Sequence, residues 1–211
     1  MNALSFFWHH GDEILGATLE HVWLVAAAMA LAIAIGVPLG IAVARRPWLS
    51  KPILGGANIA ETIPSLALLG FLLSTPWIGE RAERIAITAL VLYALLPIIE
   101  NTAAGITGVD PAVREAACGM GMTSRQILLQ IELPLSLSTV LAGIRVSTVL
   151  TIGVATIAAA IGAGGLGEFI YRGLAMVNGG LILAGAVPAA ALALLAHLVL
   201  SVLERRMRPA R

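Results

Sequence analysis

The sequence predicts an all-α membrane protein, and three observations carry that prediction. Of its 211 residues, 59% are hydrophobic and 12% charged, with a mean hydropathy of +0.94. Soluble domains carry about 25% charged residues, so a soluble fold of this composition would run out of polar surface. Five apolar runs, at 19–44, 53–73, 85–106, 135–161 and 181–203, each reach the roughly 20 residues a helix needs to cross about 30 Å of hydrocarbon. The basic residues fall almost entirely between these runs. Helices satisfy their own backbone in lipid, so five transmembrane helices in one domain, 1–211, are expected.

Taken in order, residues 1–17 are amphipathic, with Phe6, Phe7 and Trp8 suited to a membrane interface. No Lys or Arg precedes Arg45, whereas Asp12, Glu13 and Glu20 do, so a cleaved secretory leader is not expected. The first run contains Gly36 and Gly40, a spacing that lets helices cross closely, and Pro38; Pro64 and Pro188 interrupt later runs. An odd number of spans puts the termini on opposite sides. With the amino terminus outside, Arg45, Arg46, Lys51, Arg114, Arg125, Arg205, Arg206, Arg208 and Arg211 face the cytosol. Only Arg81, Arg84 and Arg172 face out, and Arg145 lies within a span. Basic residues favour the cytosolic side, which selects an external amino terminus and a cytosolic carboxyl terminus. Trp77, Phe169 and Tyr171 then fall near the outer interface and Trp48 near the inner one.

That orientation leaves 108–134 in the cytosol, the longest polar interruption in the chain. Asp110 reads as a helix N-cap, Pro111 as its first helical residue, and Gly119 or Gly121 as its end. Thr123 and Gln126 fit a capping box that opens a second short helix, with Ile127, Leu128 and Ile131 on one face. Pro134 is expected to reset the chain before the next span. Two short helices around a glycine break make an elbow suited to a groove in a cytosolic partner. Ala116 and Ala117 allow close approach there, and Met120 and Met122 give adaptable apolar contact.

Glu61, Glu100 and Arg145 lie within spans. They sit about 12, 10 and 15 Å from the cytosolic ends of their helices at a rise of about 1.5 Å per residue. Charges in lipid cost at least about 2.5 kcal/mol each, so these three are expected to face protein or water and to meet in one cluster, structural or gating. The single cysteine, Cys118, excludes an internal disulfide and suits a small filler in the elbow.

Glu115-Ala116-Ala117, Gly121, and Ile131, Leu133 and Pro134 together resemble the EAA signature of the MetI-like permeases of type I ABC importers. The spacing EAA-x3-G-x9-I-x-LP is complete, and it falls between the third and fourth spans. The resemblance implies that this segment docks on separate ABC ATPase subunits, with Met122 beside it. Further fragments are similar to the osmoprotectant permeases for glycine betaine, carnitine and choline. These are Ile63-Pro64-Ser65-Leu66-Ala67-Leu68, Leu96-Pro97-Ile98, Asn101-Thr102, the loop 162–167 with Phe169, Arg172 and Gly173, and Leu183-Ala184-Gly185-Ala186 with Pro188. Glu61, where that subfamily usually has an amide, and Glu100, where it usually has a basic residue, depart from the pattern.

The resemblance implies a multi-pass permease of the bacterial cytoplasmic membrane, in contact with lipid and paired with a second copy or a paralogue. It implies an extracytoplasmic substrate-binding protein that holds most of the affinity, and no nucleic acid. It further implies that the chain is not an enzyme, that no cofactor sits on it, and that ATP and Mg belong to the partner ATPase. Glu61, Pro64, Ser65, Glu100, Asn101 and Arg145 are the pathway or gate candidates. The alternatives are an importer for another small solute such as methionine, or an ion-coupled transporter using Glu61 and Glu100 as proton carriers. Gly162 to Gly167 spell G-x-G-x-x-G, but the dinucleotide fingerprint needs a strand before it and a helix after it in a βαβ unit. A glycine-rich re-entrant turn at the outer mouth is expected instead.

Overall fold

The computed structural model describes residues 10–75 and 81–207, which are helical almost throughout, with no strand among them. Helix α1 runs Gly11–Arg45, α2 Pro47–Thr62, α3 Ser65–Leu73 and α4 Ala82–Thr107. In the elbow, α5 is Pro111–Gly119 and α6 is Ser124–Ile127. A π turn, Leu128–Glu132, carries α6 directly into α7, Leu133–Ala158. The short α8, Gly167–Ala175, precedes the last helix, α9, Gly179–Arg206. Phe6, Phe7, Trp8 and Trp77, expected at interfaces, lie outside the described residues, as do Arg208 and Arg211.

Four long helices, Gly11–Arg45, Ala82–Thr107, Ser124–Ile161 and Gly179–Arg206, are long and apolar enough to cross a membrane. The second expected span, 53–73, is instead a broken pair, with α2 and α3 meeting at 98°. The break follows from Pro64, which disfavours helical backbone at Ile63 and takes it to an extended conformation, φ −70° and ψ 127°. Tyr93 on α4 donates its hydroxyl to the Ile63 carbonyl freed by the break. Non-helical backbone at membrane depth persists only where protein or a wet cavity satisfies it.

Helix α4 is the spine. Its Ala86, Ala89, Leu90, Ala94 and Ile98 are fully buried, packed with Leu24, Ala28 and Ala32 of α1 and Ile152, Ala155 and Ala158 of α7. Glycines let both neighbours come close. A Cβ on Gly40 would lie 2.5 Å from Thr102 Cβ, and one on Gly143 would lie 2.6 Å from Asn101 Cβ and 2.7 Å from the Pro97 carbonyl oxygen. The Gly36–Gly40 spacing is thus a helix-crossing surface, and Gly143 supplies its counterpart on α7. Ser147 adds a polar tie, donating to the Ala94 carbonyl at 2.8 Å. Helix α9 is buried along Leu181, Ala184, Gly185, Ala189 and Glu204, rests Leu192, Ala193 and Ala196 partly on the main core, and shows much of its remaining apolar surface outward.

One expectation about the aromatic belts differs from the structure. Tyr171 and Trp48 are exposed, whereas Phe169 is buried in a small core with Ile14, Leu181 and Ala184, because 167–175 folds into a helix instead of an interfacial loop. That helix ends in strain. Val177 takes φ +50°, and its neighbours close a Schellman cap in which Asn178 N–H reaches the Gly173 carbonyl at 2.8 Å. A β-branched residue in the left-handed region costs about 1–2 kcal/mol. Val177 is 91% exposed and packs little in compensation. Val177→Gly is therefore expected to stabilise the protein by up to about 1 kcal/mol, read as a higher melting temperature in detergent; an unchanged or lower value would count against strain there.

Candidate functional site: the elbow and the broken helix

The elbow forms as its caps dictate. Asp110 accepts from Ala112 N–H at 2.9 Å, with Pro111 in the first helical turn of α5. Gly121 rather than Gly119 ends that helix, in the left-handed region at φ +80°. Met122 N–H bonds the Ala117 carbonyl at 3.1 Å and Gly121 N–H bonds the Cys118 carbonyl at 2.9 Å, the two bonds of a Schellman cap. The capping box closes with Thr123 N–H on Gln126 Oε1 at 2.8 Å and Gln126 N–H on Thr123 Oγ1 at 3.4 Å. Ala117 is fully buried, whereas Glu115, Ala116, Cys118 and Met120 face outward, and Glu115 makes no ion pair among the described residues. Met122 is half-buried and Ile127 is buried, so the second arm of the elbow rests on the body of the protein.

The second arm is not a separate helix, and Pro134 does not reset the chain. Proline in the first turn of α7 has no N–H for the carbonyl four residues back. The helix accommodates this by widening: Leu133 N–H reaches Leu128 O, five residues back, through the π turn. Helix and elbow become one rod, Ser124–Ile161. Ile131 and Leu133 are half-buried and Pro134 is exposed along it.

The turn also places a side chain that sequence reasoning passed over as the variable residue between Ile131 and Leu133. Glu132 is 5% exposed. Its Oε2 lies 2.6 Å from Arg45 Nη2 at the end of α1, and its Oε1 lies 3.1 Å from Arg114 Nε on α5. Arg45 also donates to the Ser124 carbonyl at 3.1 Å, and Arg114 donates to the Ile106 carbonyl at the end of α4. Only the acidic residue's own neighbourhood in space could have revealed it, since its partners lie 87 and 18 positions away in the chain.

Glu61, Pro64 and Ser65 gather at the α2–α3 break, where Glu61 is half-buried beside Tyr93. Asn101 turns back on its own helix, donating to the Pro97 carbonyl at 2.8 Å. The expected cluster of Glu61, Glu100 and Arg145 does not form. Arg145 pairs with Glu204 of α9 at 3.1 Å. Glu100 is exposed, and neither it nor Glu61 has an ion-pair partner among the described residues. Similar depth is not shared azimuth: the helix face decides which neighbour a side chain meets, and Arg145 turns toward α9.

At the opposite end, the glycine loop folds back over α1. Gly165 N–H donates to Glu20 Oε2 at 3.1 Å, and the fully buried His21 shares its Nε2 with the Ile152 carbonyl at 3.1 Å. Trp23 donates its indole N–H to Glu83 at 2.8 Å. Glu20, Trp23, Glu83 and Glu168 line an open polar cavity of about 500 Å³ there.

Comparison with known proteins places this geometry. The sequence profile described as "Binding-protein-dependent transport system inner membrane component" matches residues 36–209. The chain is similar to the carnitine transport permease protein OpuCB of Listeria monocytogenes, 43% identical over 98% of this chain and 93% of that one. It is 39% identical to the osmoprotectant import permease protein OsmW of Salmonella typhimurium, over 99% of this chain and 98% of that one. Among solved structures, the inward-facing MetNI methionine ABC transporter superposes with a TM-score of 0.83 at 21% identity, covering 93% of this chain and 96% of that one. That likeness shows the fold.

Proposed function

The chain belongs to the binding-protein-dependent transport system inner membrane components, and from that premise we propose that it is the permease of an ATP-driven importer for quaternary-ammonium osmoprotectants such as glycine betaine, carnitine or choline. The observation that carries the substrate class is the end-to-end similarity, at 39–43% identity, to permeases whose names specify carnitine, choline, glycine betaine or osmoprotectants. The outer cavity fits that reading, since Glu20, Glu83 and Glu168 beside the Trp23 ring offer negative charge and an aromatic face to a cation.

The amino terminus lies outside and the carboxyl terminus in the cytosol. Glu115, Ala116, Ala117, Gly121, Met122, Ile131, Leu133 and Pro134 form the contact with a partner ABC ATPase, which binds ATP and Mg. Two permease chains, identical or paralogous, enclose the pathway, and an extracytoplasmic binding protein delivers the solute. ATP binding closes the ATPase pair, the elbows move with it, and the helices open outward; hydrolysis restores the inward-facing state. Glu61, Pro64 and Ser65 at the break, with Glu100, Asn101 and Arg145, border the moving parts.

Reconstitution with the cognate ATPase and binding protein in liposomes tests this. Accumulation of radiolabelled betaine, carnitine or choline, dependent on ATP and insensitive to a protonophore, is the expected result. Accumulation of methionine alone would overturn the substrate class, and collapse with the protonophore at constant ATP would overturn the energy source.

A further inference from the structure

We infer that Glu132 is a positioning residue that makes α1 move with the elbow, linking the cytosolic contact to the outer glycine loop. The inference rests on the reading of the elbow as the ATPase contact, and it concerns how displacement leaves that contact.

Helix α7 needs no such device, because the elbow continues into it through the π turn. Helix α1 is different. Between its last residue, Arg45, and the elbow stand α2, α3 and the whole of α4 in the chain, so motion of the elbow reaches it only through space. Glu132 supplies that connection. One buried carboxylate holds Arg45 of α1 on one oxygen and Arg114 of α5 on the other. Arg45 holds the Ser124 carbonyl at the start of α6, and Arg114 holds the Ile106 carbonyl at the end of α4. The elbow is thereby tied to two helices whose covalent paths to it are long or loosely jointed. The Arg45 bond to this buried carboxylate is charge-assisted, short and directional, so it resists separation better than apolar packing, which slides, and Arg114 adds ion-pair attraction without a hydrogen bond to it.

The other end of α1 gives the tie a purpose. Some 25 residues before Arg45, about 37 Å along a helix, Glu20 holds the Gly165 amide, and His21 beside it packs beneath the same loop. Helix α1 therefore grips the elbow at one end and the outer loop at the other. A rigid helix held at both ends transmits an axial or tilting displacement, which is the contiguous physical connection that coupling across a membrane requires. Removing the cytosolic grip leaves ATPase docking intact, since Glu132 faces inward between the arginines while Glu115, Ala116 and Met120 face out.

The test uses the complete reconstituted complex and Glu132→Gln, which keeps the shape and removes the charge. Membrane abundance, ATPase co-purification and ATP hydrolysis are expected within about twofold of wild type, while solute moved per ATP falls about 5–150-fold, the range of typical coupling free energies. Arg45→Met is expected to do the same, and Arg45→Met/Glu132→Gln to be no worse than Glu132→Gln. Equal proportional loss of hydrolysis and uptake, or unchanged uptake, would overturn the inference. A readout independent of the solute uses spin labels at Arg46→Cys and Gln130→Cys in a Cys118→Ser background. Their separation is expected to stay within about 2 Å between nucleotide-free and ATP-bound complexes in the parent protein, and to widen or broaden with ATP when Glu132→Gln is added. Identical distributions with and without Glu132→Gln would overturn the link. If the parent complex accumulates none of the solutes, the substrate proposal fails, while the label distances still decide this one.

Discussion

Gly121→Asp is expected to abolish ATP-driven uptake while leaving the protein in the membrane at normal abundance. Two effects separate cleanly at this position. Gly121 takes φ +80° at the Schellman cap of α5, and a Cβ built there meets nothing within 4 Å. Space is therefore no obstacle, and Asp is among the few side chains that visit the left-handed region. The backbone penalty, about 1–2 kcal/mol at most, falls on an exposed turn and leaves the packed helices alone. What changes is charge and shape on the outward surface formed by Glu115, Ala116 and Met120, where an added carboxylate would have to be desolvated against the proposed ATPase partner. Gly121→Asn, with the same turn preference and no charge, should retain most uptake, and Gly121→Val should lose it through the backbone instead. Uptake in proteoliposomes, beside abundance in the membrane and co-purification of the ATPase, distinguishes the three. Normal ATP-driven uptake with Gly121→Asp would remove the elbow from the coupling path.

The elbow was legible because its signals are local. A cap at Asp110, a box between Thr123 and Gln126 and a glycine at the left-handed position each act within five residues, and each forms as written. The long helices were legible for a similar reason, since hydropathy accumulates along one segment. Legibility ended where partners lie far apart in the chain. Pro134 reads as an interruption, yet one wide turn at Leu128–Glu132 absorbs it, and whether a helix breaks or widens at a proline is settled by what packs around it. Pro64, with the same local signature, does break its helix, and Tyr93 of α4 satisfies the freed carbonyl of Ile63 by donating its hydroxyl to it. Glu132 carried no signal of its own, since its meaning comes from Arg45 and Arg114. The polar cavity beneath the glycine loop likewise assembles Glu20 and Trp23 of α1, Glu83 of α4 and Glu168 of α8 from three distant segments.

Arg145 shows the same limit and yields the other large effect. Counting depth along straight helices matched it with Glu100, but the guanidinium lies 3.1 Å from Glu204, a residue that falls just beyond the apolar run of the last helix. Glu204 is 7% exposed, and the Arg145 side chain is 24% exposed. Arg145→Met takes the guanidinium from a nearly buried carboxylate and is expected to destabilise the protein by about 1.5–3 kcal/mol, the worth of a hydrogen bond to a charged group. Glu204→Gln is expected to act in the same direction by leaving the arginine, whose Nε already lacks a hydrogen-bond partner, with a neutral neighbour. Arg145→Met/Glu204→Gln removes both members of the pair and should recover part of either loss, because each single substitution leaves a charge that has lost this contact. Thermal unfolding in detergent across the four proteins measures the coupling, expected at about 0.5–3 kcal/mol. Strict additivity would dissolve the pair. Running Glu100→Gln against Arg145→Met in the same way supplies the contrast: those losses should add, since Glu100 is exposed and forms no ion pair with Arg145, which pairs with Glu204.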